Sequence, residues 1–243
     1  MKLLLRLVLL TALVLPVLSF AATAGPPDLS LVVTDPTGEV LARLDWQARS
    51  DDKLWIADLP SLVPGLFEIQ AGAVVTNPDP FIEYAFGVKN FTAMPLMFTF
   101  IFATPVVGGP YDTLISSHAS TITEGAILGG SPDGTHLVTP GVNAFIHTPS
   151  IDGVDTAVGV IGDGCAGAGD PFSGPCDGPS GSTDPIASVS PASLDVTVSF
   201  VLSAGDLYST TGRVEISDVG PGLIPEPSTY MLGLSALGAL LVF

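Results

Sequence analysis

Positive charge is what this chain has least of. Lys and Arg together number 7 against 24 Asp and Glu, for a formal net charge of −17 in 243 residues. A surface so poor in cations cannot neutralise a phosphate backbone, which excludes nucleic acid as a partner. Lys2 and Arg6 stand at the extreme N-terminus, which leaves Arg43, Arg49, Lys53, Lys89 and Arg213 for the body and no cation between Lys89 and Arg213. The acidic excess is read as a device for solubility, with a cation-bridged contact to anionic glycan as the alternative.

Cysteine is nearly as scarce, with only Cys165 and Cys176 present. Ten residues separate them, so they are no Cys-x-x-Cys redox motif. Catalytic signatures are missing too. The nearest approach to a serine elbow, Gly178-Pro179-Ser180-Gly181, has the wrong spacing and no strand before it. Three histidines, His118, His136 and His147, have no chelating spacing and are read as ordinary polar positions, so no metal is expected. Asp133, Asp152, Asp155, Asp163, Asp170 and Asp177 stand in loop-like contexts that suit calcium, but none follows the EF-hand order and Asp-Gly steps also make hairpin turns. Asn90-Phe91-Thr92 fits a glycosylation acceptor and is read as a chance match. No cofactor is expected.

Long amphipathic helices are lacking in the body, and what is there has the period of strands. Short β-prone runs cover 29–33, 39–45, 53–57, 66–76, 81–90, 96–103, 111–123, 143–148, 154–161, 193–203 and 208–217. Turn chemistry separates them, as in Asp35-Pro36-Thr37-Gly38 and the double X-Pro corner Asn77-Pro78-Asp79-Pro80. In Leu96-Met97-Phe98-Thr99-Phe100-Ile101-Phe102 the aromatic side is expected to lie under an opposing sheet. The fold class is therefore all-β, an antiparallel, jelly-roll-like β-sandwich over residues 25–219. Residues 162–185, rich in Gly, Pro, Ser and Asp, cannot bury enough surface to order themselves and are expected to form a long surface loop, either mobile or binding.

The two ends read differently. Lys2 and Arg6, the apolar stretch 7–20 and Ala22-Thr23-Ala24 make residues 1–24 a signal peptide, with Ser19-Phe20-Ala21 as a second cleavage site. Export to an oxidising compartment makes Cys165 and Cys176 an expected disulfide. After the linker 220–224, Pro225-Glu226-Pro227-Ser228-Thr229 leads into an uncharged run rich in Leu, Ala and Gly that ends at Phe243.

That tail, residues 225–243, resembles the PEP-CTERM sorting signal, although no arginine cluster follows the run. The resemblance implies Pro225, Glu226 and Pro227 as the sorting motif. It implies an exosortase-type processing enzyme as partner and a short C-terminal transmembrane helix that holds the chain transiently in the inner membrane. Release to the cell surface or the extracellular space would follow. The stretch 77–92, with Phe98-Thr99-Phe100 and Pro105, is similar to members of that group without an assigned role, which implies association with extracellular polysaccharide or biofilm matrix. Three functions compete: a non-catalytic surface or matrix protein, a calcium-dependent or lectin-like carbohydrate-binding module, and a secreted glycan hydrolase. The first is the expectation, with no catalytic residue assigned.

Overall fold

The structure is a computed structural model that describes residues 25–51, 54–77, 80–123, 135–168, 173–175 and 180–218. Every regular element among them is a strand. The first eight are β1 (Asp28–Thr34), β2 (Val40–Asp45), β3 (Arg49–Asp51), β4 (Leu54–Asp58), β5 (Ser61–Val63), β6 (Phe67–Asn77), β7 (Phe81–Asn90) and β8 (Leu96–Pro105). Next come β9 (Tyr111–Thr123), β10 (Thr135–Pro140), β11 (His147–Ile151), β12 (Val154–Asp155), β13 (Cys165–Ala168) and β14 (Ser173–Pro175). The last are β15 (Ser180–Val189), β16 (Ser193–Leu202) and β17 (Leu207–Ser217).

These strands form two antiparallel sheets packed as a sandwich. An eight-stranded sheet runs β12-β11-β16-β8-β1-β2, with β10 joining β16 and β13 joining β10. A nine-stranded sheet runs β14-β9-β17-β7-β6-β4-β3, with β15 on β9 and β5 on β6. Period-two alternation dictates the interior. Leu96, Phe98, Phe100 and Phe102 of β8 and Leu194, Val196, Val198, Phe200 and Leu202 of β16 are all fully buried. Their partners across the sandwich are aromatic as well. Phe86 of β7 stacks on Phe100 at 4.2 Å, Phe67 of β6 meets Phe98 edge-on at 5.4 Å, and Tyr208 of β17 meets Phe200 at 4.5 Å. Offset and edge-on ring pairs add to the gain from area burial, so this layer fixes how the sheets sit on each other.

Residues 162–185 differ from the loop expected there. Their described parts pair as strands: β13 with β10, β14 with β9, and Ser180 to Pro185 of β15 with His118 to Thr113 of β9. Open edges of β9 and β10 offer main-chain donors and acceptors, and a segment of small residues can meet them without an apolar side chain of its own. The expected strand over 154–161 shrinks to Val154–Asp155, with a further single bridge between Ile161 and His147.

The expected transmembrane helix is corrected, and with it the transient anchoring in the inner membrane. No helix among the described residues is long and apolar enough to cross a membrane. Every regular element among the described residues is a strand, and in β8 and β17 buried positions alternate with partly exposed ones, so apolar side chains there line one face of a strand. Residues 225–243, with Pro225, Glu226 and Pro227, lie outside the described residues, as does the signal segment 1–24. The exosortase-type partner acting at that membrane and the localisation reached through such an anchor fall with it, and the matrix polysaccharide expected from the likeness of residues 77–92 is not carried forward as a partner.

Candidate functional site

Two of the three histidines meet between the sheets. His118 of β9 and His147 of β11 have ring centroids 5.7 Å apart. His136 lies in β10 opposite Gly167. Tyr84 of β7 stands between the pair, its hydroxyl 2.7 Å from His147 Nδ1 and 3.2 Å from His118 Nδ1. On its other side, His147 Nε2 is 2.8 Å from Ser116 Oγ. Ser116 Oγ donates to the Gly159 carbonyl at 2.7 Å.

Proton counting fixes the tautomers. Ser116 has one proton and gives it to Gly159, so at His147 it can only accept, and Nε2 must carry hydrogen. Burial, and then the neighbouring His118, holds His147 well below the usual histidine range, so the ring is neutral and Nδ1 is bare. Tyr84 therefore donates to Nδ1. Having spent its proton there, Tyr84 accepts from His118 Nδ1–H.

A serine, a histidine and a third group in hydrogen-bonded line have the distances of a nucleophilic triad. The chemistry is absent for two physical reasons. A triad serine donates to its histidine, whereas Ser116 donates to a carbonyl and faces an N–H. The cluster is also sealed, with Ser116, His147 and Tyr84 all at 0% exposure. Two glycines make room for it: a Cβ on Gly212 would overlap the Tyr84 hydroxyl, and Gly159, at φ 73°, would push one into Leu114.

The acidic residues do not converge. Among the described residues no group of three or more His, Cys, Asp or Glu is placed to hold a metal ion. Asp152 is committed to the backbone, its Oδ1 accepting from Ala192 N at 2.7 Å and Ser193 N at 2.9 Å. Asp155 accepts from Ser150 Oγ at 2.8 Å. Asp163 is exposed, and Asp133, Asp170 and Asp177 lie outside the described residues. Cys165 opens β13 and is not a free thiol; Cys176 lies outside the described residues. Ser180 of the elbow look-alike begins β15.

Asn90 of the glycosylation pattern is fully buried. Its amide donates to the carbonyls of Met94, Leu202 and Ser203, and its Oδ1 accepts from Thr92 N and Oγ1. Every hydrogen-bonding position is used, so Asn-x-Thr here is an interior turn lock.

The outer face of the eight-stranded sheet is open over β2, β1 and β8, whereas on β16 Ser199 is fully buried, its Oγ accepting from Val142 N. Register aligns Asp45, Ser30, Ile101, Thr197 and Thr148 in one row across β2, β1, β8, β16 and β11. The next row holds Arg43, Val32, Thr99 and Ser199, and the third Asp28, Ala103, Asp195, Ser150 and Asp155. Ile101 is 38% exposed at the centre, while Thr148 and Ser150 are buried at the β11 end. Burial pushes the Asp195 carboxyl up, against the opposing pull of Gly153 N–H and the Ser193 hydroxyl. On the other sheet's outer face Arg213 pairs with Glu83 at 3.3 Å and Glu215 at 2.7 Å and lies over the Phe81 ring.

No family model matches the chain, and no curated protein sequence does. Among solved structures it is similar to TmCBM61, determined in complex with β-1,4-galactotriose. Identity is 11%, the match covers 71% of this chain and 88% of that one, and the TM-score is 0.29. A likeness at that score carries no argument about what this chain binds.

Proposed function

We propose that the protein is a non-catalytic, lectin-like carbohydrate-binding module that holds a glycan on the outer face of its eight-stranded sheet. One observation carries the reading: exposed Ile101 lies in register between Ser30 and Thr197, with Thr99, Asp45 and Asp195 around it. Sugar rings present C–H faces to apolar side chains and hydroxyls to short polar ones, and a rigid sheet holds both kinds of group at fixed spacing. The jelly-roll-like path expected of the sandwich belongs to the same proposal.

A calcium-dependent form is set aside, because Asp152 and Asp155 are used internally. A hydrolase would need two carboxylates flanking a scissile bond. In the third row Ala103 stands between Asp28 and Asp195 and Ser150 between Asp195 and Asp155, and Asp155 is taken up by the Ser150 hydroxyl, so an assay for new reducing ends separates the two readings. Affinity electrophoresis of the full chain through gels containing neutral and acidic polysaccharides tests the proposal. Retardation by at least one glycan, unchanged by chelator and without new reducing ends, is the expected outcome. Free migration through every gel would overturn it.

The Pro225, Glu226 and Pro227 tail is a separate part of the proposal, as a sorting motif of the PEP-CTERM type. Mass spectrometry of the mature chain from its host decides it. A terminus near these residues is expected, and a chain intact through Phe243 would contradict it.

A further inference from the structure

We propose that the line Ser116, His147, Tyr84 is an acid-sensitive latch that holds β11 and the segment behind it against the nine-stranded sheet, and that a proton arriving at His147 Nδ1 releases it. The latch is independent of what the outer face binds. Its geometry joins the sheets at one edge. His147 belongs to the eight-stranded sheet, and Tyr84 and Ser116 belong to the other. The segment behind β11 closes the same seam: His147 and Ile161 exchange both main-chain hydrogen bonds at 2.9 Å, Ile146 N donates to Gly162 O at 2.7 Å, and the Gly159 carbonyl takes the Ser116 proton.

The direction of the line makes it sensitive. Nε2 already carries hydrogen, so a second proton can enter only at Nδ1, where the Tyr84 hydroxyl donates. Two donors would then face each other at 2.7 Å. Turning the hydroxyl away leaves Tyr84 accepting from both histidines, and an imidazolium with no water around it carries the full cost of a buried charge.

Among the described residues no carboxylate is in hydrogen-bond contact with the His147 ring. Of the elements packed around His147, β9 presents Ser116 and His118, β7 presents Tyr84, and β17 presents Tyr208 and Thr210 toward His118. On β16 and β12, Asp195 and Asp155 are in register with Ser150, the outward-facing neighbour in the alternation. Glu83, Arg213 and Glu215 form their own cluster on the far face of the other sheet, and Asp112 is exposed. Asp184 stands opposite Leu114 at the β15 edge and Asp163 follows the Ile161 bridge, but only burial and His118 act on His147.

An open-form histidine takes its proton near pH 6.5, whereas the latched one resists until well below that. Falling pH therefore favours the open form, and the opening constant should rise about tenfold per unit below about pH 6.5, at one proton per opening. Hydrogen exchange of the full chain between pH 7 and 5, corrected for the pH dependence of exchange chemistry, reads this at the amides of Ile146, His147 and Ile161, with Phe100 in β8 as the internal control. The seam amides are expected to lose protection about tenfold per unit and to stay less protected than Phe100, which exchanges only when the whole fold opens, and His147→Gln is expected to abolish this pH dependence. Nitrogen-15 spectra of the wild-type imidazoles provide an arm that does not depend on the variant folding: His147 should keep one bare Nδ1 until the seam opens. Seam protection that stays constant while His147 titrates, or equal acid opening in His147→Gln, would overturn the proposal.

Discussion

At the scale of single residues, the interior polar groups are held by complete accounts of donors and acceptors. Asn90 is the clearest case, because three carbonyls point at its amide nitrogen and two donors at its oxygen. Asn90→Asp turns the nitrogen into an acceptor facing three carbonyls, and should cost about 3 kcal/mol or more in urea unfolding, whereas an exposed Asn→Asp change is near neutral. Tyr84→Phe removes the hydroxyl between two imidazoles and should cost about 1–3 kcal/mol. None of this was legible in the sequence. Asn90-Phe91-Thr92 looked like a chance acceptor pattern, and His118 and His147, 29 positions apart, share no local spacing; only the sandwich brings them together.

At the scale of elements, legibility followed the side-chain pattern. β8 could be read directly, because its aromatic residues fall on every second position and that alternation is the burial pattern itself, buried at 96, 98, 100 and 102. Most of the paired strands with their own apolar face were placed within a few residues. β13, β14 and β15 were invisible because they join open edges through the main chain, and their sequences carry no alternating apolar signal. The β11–β12 turn supplies a test at this scale. Asp152 adopts φ 52° and its carboxylate ties the turn to the start of β16. Asp152→Gly loses the tie alone, while Asp152→Ala also loses a residue type that tolerates the left-handed conformation. Thermal unfolding should find the alanine variant less stable than the glycine one by about 1 kcal/mol.

For the whole molecule, the acid limb of stability has an assignable origin. His147 is held below its ordinary value in the fold, so its contribution is present above about pH 6.5 and is lost as pH falls below that, with a slope of about 1.4 kcal/mol per unit while only the unfolded chain is protonated. Asp195, raised by burial, works in the opposite sense and at lower pH, and Asp35, lowered by the hydroxyl of Thr37 and the backbone N–H of Glu39, matters only near and below the carboxylate range. Urea midpoints measured from pH 7 to 5 should therefore fall, and His147→Gln should flatten the curve. Millimolar calcium should leave the melting temperature unchanged, since the described carboxylates form no site; a rise of several degrees would restore the calcium-dependent reading.

The glycan-binding face is the central claim, and its most direct measurement is a calorimetric titration of the full chain with the most strongly retarding polysaccharide, set beside Ile101→Asp and Thr197→Arg. Both substitutions lie on the exposed side of their strands, so the fold should survive them. Affinity reduced at least tenfold in each variant, with the unfolding midpoint unchanged, is what the account predicts. Binding undiminished in both would contradict it and move the site elsewhere on the molecule.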